Sequence, residues 1–111
     1  MNWIMICAAL SGALAVAAGA FGAHGASGAA AEWLKTGAHY QLIHAVAALV
    51  ALKLEVKGPA SLFLLGGASF AGTLYLMALG LPKWLGAITP VGGALLIAGW
   101  LWFAWAGTGR P

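Results

Sequence analysis

The chain has 111 residues, 63% of them apolar and only 6% charged, with five Lys or Arg against two acids. Ordinary soluble domains are about 25% charged, so this composition leaves too little polar surface to face water and points to a membrane protein. The net charge of +3 rests on Lys35, Lys53, Lys57, Lys83 and Arg110, which are scattered. Nucleic-acid binding needs a basic cluster, so the expected contact is between loop lysines and anionic lipid headgroups.

Four apolar stretches follow in chain order, at about 3–23, 38–54, 61–81 and 90–106. As helices, stretches of roughly 17–21 residues rise about 25–32 Å, which matches a hydrocarbon layer ~30 Å thick. Lipid offers the backbone no hydrogen-bond partner, so each stretch is predicted to be helical. The predicted fold is all-α: one integral membrane domain over 1–111, a four-helix transmembrane bundle.

The first stretch is rich in small residues, and Ser11, Ala15, Gly19 and Ala23 recur every four positions. Such a stripe lets another helix approach closely. Small residues near Ala13 to Ala20 mimic a signal-peptide cleavage site, but no Lys or Arg precedes Trp3 and the apolar run is too long. A retained helix is expected. Cys7 is the only cysteine, which excludes an intramolecular disulfide and a cysteine-based metal motif and leaves a small apolar filler.

Glycine then stands at every third position from Gly19 to Gly28, around Phe21 and His24. This run lacks the Gly-x-Gly turn and the Lys-Ser/Thr of a phosphate loop. It is expected to form a tight exit that sets His24 against neighbouring backbone. The polar lead-in to the second stretch carries Glu32, Lys35, Thr36 and His39 along one helical face, with Tyr40, Gln41 and His44 on another.

The third stretch offers Gly66, Ser69, Thr73 and Gly80 on one face, with hydroxyls able to bond across to a neighbour. Pro59 and Pro82 are expected in the breaks. Thr89 is predicted to cap the fourth helix, with Pro90 at its first position. Gly92, Gly93 and Gly99 offer close-packing points. Trp3, Trp102 and Trp105 mark one water interface, Trp33 and Trp84 the other, and Trp100 lies deeper. The side with both termini and the middle loop carries Lys53, Lys57 and Arg110, against Lys35 and Lys83 opposite. That bias places both termini in the cytoplasm.

His24, His39 and His44 admit two readings. In one they converge, with Glu32, Tyr40 and Gln41 nearby, to bind haem, a metal ion or a lipid headgroup. In the other, His44 hydrogen-bonds across the bundle while His39 and Glu32 sit in the headgroup layer, and no metal or cofactor is held. His39 and His44 are five positions apart and do not form the i,i+4 pair that grips one ion. His44 lies deepest and is the residue expected to matter most. Glu32 and Glu55 lie at opposite ends of the second stretch, and Ser11, Ser61 and Ser69 lack a base and an orienting acid. No catalytic residues are expected, and the chain does not read as an enzyme.

The segments Gly19 to Gly25, Thr36 to Ala45, Gly72 to Tyr75 and Ile88 to Gly93, with Gly99 and Trp100, resemble domain-of-unknown-function family 423. This family, DUF423 (UPF0382-type), comprises small four-span proteins of bacterial inner membranes. The resemblance covers essentially the whole chain and implies no established activity, substrate or cofactor. Its recurring residues correspond here to Phe21, His24, Tyr40, Gln41, His44, Tyr75, Thr89, Pro90 and Trp100. The family pattern usually has alanine where this chain has Gly37. The implied setting is the bacterial cytoplasmic membrane.

The first function expected is therefore a non-enzymatic accessory or structural component of the membrane. Ligand binding at the histidines is the second. A small oligomeric transporter or channel is the third; it matches in size but has no acid within a span. Beyond the bilayer itself, four thin helices enclose little interior, which leaves room for a homo-oligomer or an unidentified membrane-protein partner.

Overall fold

The structure is a computed structural model and describes residues 1–109. Four long helices follow one another, α1 (Trp3–His24), α2 (Gly28–Lys53), α3 (Lys57–Ala78) and α4 (Thr89–Ala106). A short 3₁₀ helix, Lys83–Ala87, precedes α4. No strand occurs among the described residues, and the all-α bundle expected from the apolar stretches is the observed architecture.

α1 is opened by Asn2, whose side chain accepts the Met5 amide proton at 3.1 Å. The glycine run divides: Gly19 and Gly22 lie within α1, residues 25–27 form a short connection, and Gly28 opens α2. Helix α1 continues to His24, and Gly22 admits α2 at the closest approach, where a Cβ would lie 3.0 Å from the Leu34 Cβ. His24 ends up exposed rather than packed on backbone.

Helix α2 starts ten residues earlier than the predicted second stretch, so the polar lead-in is part of one continuous 26-residue helix. At about 1.5 Å per residue it is ~39 Å long and outreaches the hydrocarbon layer. α3 begins at Lys57, four residues ahead of its predicted stretch, and ends at Ala78. Pro59 therefore lies within its first turn, where a missing amide proton costs nothing. Thr89 is not the cap of α4: Ile88 holds that place and the Thr89 side chain bonds elsewhere.

By length and composition, α1, α3 and the segment Lys83–Ala106 are apolar enough to cross a membrane. α2 is less apolar because it carries Glu32, Lys35, His39, Gln41, His44 and Lys53, and of these Gln41 and His44 are buried within the bundle. α2 packs along both α1 and α3, and α3 packs along α4, while α1 and α4 make no extended contact. The core is built largely of alanine, with Ala8, Ala47, Ala48, Ala51 and Ala60 gathered around the fully buried Phe63. Leu10, Val16, Leu49, Leu65, Ile97 and Leu101 stay exposed on the outer faces, as expected where the surrounding solvent is hydrocarbon.

Candidate functional site: a polar seam along α2

The buried positions of α2 include Leu34, Gly37, Ala38, Gln41, His44, Ala45, Ala48 and Ala51. That three-and-four spacing is one face of a helix, and it carries two polar side chains into the bundle. Gln41 Nε2 donates to Ser11 Oγ at 3.0 Å, and Tyr75 Oη donates to Gln41 Oε1 at 2.6 Å. One amide therefore ties α1, α2 and α3 together. Gly37 makes room for the third member, since a Cβ there would lie 2.7 Å from the Tyr75 ring.

One turn along, Trp100 Nε1 donates to His44 Nε2 at 2.9 Å, joining α4 to α2. An indole nitrogen only donates, so His44 Nε2 carries no proton. The ring proton sits on Nδ1 and is donated to the Tyr40 carbonyl within the same helix. This network assigns the neutral Nδ1–H tautomer and occupies the Nε2 lone pair that a metal or haem iron would take. Phe63 lies 4.6 Å from Trp100 and 5.8 Å from His44 between ring centroids. Thr73 Oγ1 and Thr89 Oγ1 are 2.6 Å apart and link α3 to the start of α4.

The histidines are not brought together. His44 is buried, whereas His39 is exposed with its ring edge-on to Tyr40 at 5.7 Å. His24 stands at the far end of α1. Among the described residues no group of three or more His, Cys, Asp or Glu is placed to hold a metal ion. Glu32 and Lys35 form an exposed pair at 3.8 Å, an arrangement that contributes little.

Ser11 and Phe63 are the members that sequence reasoning did not connect to the seam. In the sequence Ser11 stands out as part of a small-residue stripe and as a serine without a base, not as a partner for Gln41. The hydroxyl prediction for the third stretch divides in two: Thr73 bonds across to Thr89, but Ser69 bonds the Leu65 carbonyl of its own helix.

Residues 18–93 match the family described as "Protein of unknown function (DUF423)". The chain belongs to this family. Among DUF423-type relatives, UPF0382 membrane protein SH2409 of Staphylococcus haemolyticus is 38% identical over 91% of each chain. UPF0382 inner membrane protein YgdD of Escherichia coli K12 is 41% identical over 89% of this chain and 84% of its own. A UPF0382 membrane protein of Haemophilus influenzae is 35% identical over 94% and 92%. No solved structure matches.

Several residues singled out by the resemblance fall on the seam: Gln41 and Tyr75 in one hydrogen-bonded chain, His44 and Trp100 in the other, with Trp100 beyond the matched residues 18–93. Tyr40 stacks on His44 with ring centroids 6.3 Å apart, and Thr89 meets Thr73. Pro90 sits in the first turn of α4. Phe21 is exposed, and its ring covers Gly25 at the end of α1.

Proposed function

We propose that this membrane protein is a non-enzymatic accessory or structural component whose polar seam orders the bundle. The observation that carries this reading is the state of the buried polar groups. Among the described residues no buried side-chain nitrogen or oxygen lacks a hydrogen-bond partner, and the one buried imidazole has both nitrogens engaged. A general base or an axial ligand needs a free lone pair. His44 instead works as a cross-helix strut.

The setting proposed is the bacterial cytoplasmic membrane, with both termini inside. The Escherichia coli relative is named an inner membrane protein. Asn2, Lys53 and Lys57 gather at one end of the bundle, which supports a basic face shared by the N-terminus and the middle loop. Arg110, the third basic residue of that side, lies outside the described residues.

The test compares wild type with His44→Ala, purified in native lipids. The mutant should lose about 2 kcal/mol of stability against unfolding, because Trp100 loses its acceptor and a cavity opens beside Phe63. Absorbance spectra and metal analysis should find no haem or stoichiometric metal in either protein. A Soret band or bound metal lost in the mutant would overturn the reading.

A further inference from the structure

Among the described residues each buried side-chain oxygen and nitrogen has a partner, yet Ser11 and Gln41 retain protons that no described residue accepts. Ser61, Ser69 and Thr73 each donate their hydroxyl to the carbonyl four residues back in their own helix. Ser11 makes no such bond. Its oxygen accepts from Gln41 at 3.0 Å, and its own proton is unplaced. A glutamine amide carries two N–H groups, and only one of those on Gln41 reaches Ser11.

Both groups lie on the floor of a groove between α1 and α3, walled by Leu10, Leu14, Leu64, Leu65 and Ala68. Gln41 itself is only 4% exposed, so its amide is held in place rather than dangling. The groove continues along Cys7, Ile4 and Trp3, with Cys7, Leu64 and Leu65 shared by its two sections. Ser11 stands eight positions beyond Trp3, about 12 Å along the helix. In a hydrocarbon layer ~30 Å thick, that is close to the middle.

Two hydrogen-bond donors lining an apolar groove at that depth are costly unless an acceptor meets their remaining protons. Phospholipid ester carbonyls are anchored at the edge of the layer, and an acyl tail brings no acceptor at all. The complementary molecule is long, apolar and carries a carbonyl that dissolves in the membrane interior. We propose that the α1–α3 groove binds a lipophilic carbonyl compound of the isoprenoid-quinone class. Its carbonyl oxygen accepts from the Ser11 hydroxyl and the Gln41 amide, and its tail lies along Cys7, Ile4 and Trp3 towards the headgroups. Binding is the whole of the proposal and involves no redox step.

The probe is decylubiquinone, titrated calorimetrically into protein in phospholipid nanodiscs with empty nanodiscs as the blank. Decylbenzene, which has the tail but no carbonyl, is the control. Saturable binding near one site per chain is expected, with decylbenzene at least tenfold weaker. Ser11→Ala should weaken the quinone about tenfold, the effect of one neutral hydrogen bond. Ala68 is exposed, so Ala68→Phe should fill the groove and reduce affinity at least tenfold without lowering Tm. Leu14→Phe serves the same purpose if Ala68→Phe does not fold. Non-saturable partitioning, equal binding of decylbenzene, or unchanged affinity in the filled variant would each overturn the proposal. So would a wild-type dimer that Ala68→Phe separates, because a second copy would then occupy the groove.

Discussion

Helix α3 meets α4 and α1 in opposite ways. Against α4 the backbones nearly touch: a Cβ on Gly92 would run into the Phe70 amide nitrogen, and one on Gly99 would lie 2.9 Å from the Phe63 ring. Against α1, Ala8 shares a core cluster with Ala60 and Phe63, but elsewhere leucines stand on both sides of an open groove, and Gln41 with the side chains it reaches joins the helices there. Lipid supplies no hydrophobic contrast between helices, so a contact closes where residues are small enough for dispersion to act. Where they are large, a polar tie has to do the joining, and it leaves space beside it.

Mutation should separate the two kinds of contact. Gly92→Ala should be the most damaging, because backbone rather than a flexible side chain blocks the new methyl group. A loss of about 3 kcal/mol is expected in detergent unfolding titrations. Gln41→Leu should cost about 1.5 kcal/mol, since it strips partners from both Ser11 and Tyr75. Adding Tyr75→Phe should then cost little more, and near-additive losses in that double-mutant cycle would show that the two residues are not coupled. Gly72→Ala should be the mildest, within about 0.5 kcal/mol of wild type, because a Cβ there meets nothing within 4 Å. If Gly72→Ala proved as harmful as Gly92→Ala, glycine content rather than close contact would be setting stability.

The membrane-spanning architecture was legible because apolar length is a local property. The boundaries of α2 were less so. Its first ten residues mix Glu32 and Lys35 with alanine, which lowers their hydropathy without stopping a helix. The role of Thr89 is hidden for a related reason: a threonine before proline fits a cap, but a hydroxyl from α3 lies within reach. His44 was recognised as the deepest of the three histidines, while its partner Trp100 could be placed only as a deep tryptophan.

The sequence by itself determined that this chain is helical, that it belongs in lipid, and which polar side chains sit within the apolar stretches. Each of these follows from composition and spacing inside one segment. Only the tertiary structure decided which polar groups meet. Ser11, Tyr75 and Trp100 lie 30, 34 and 56 positions from the α2 residues they bond. No helical period reaches so far. Those pairings depend on how α1, α3 and α4 are rotated about α2, and that rotation is set by alanines and glycines packing across the bundle.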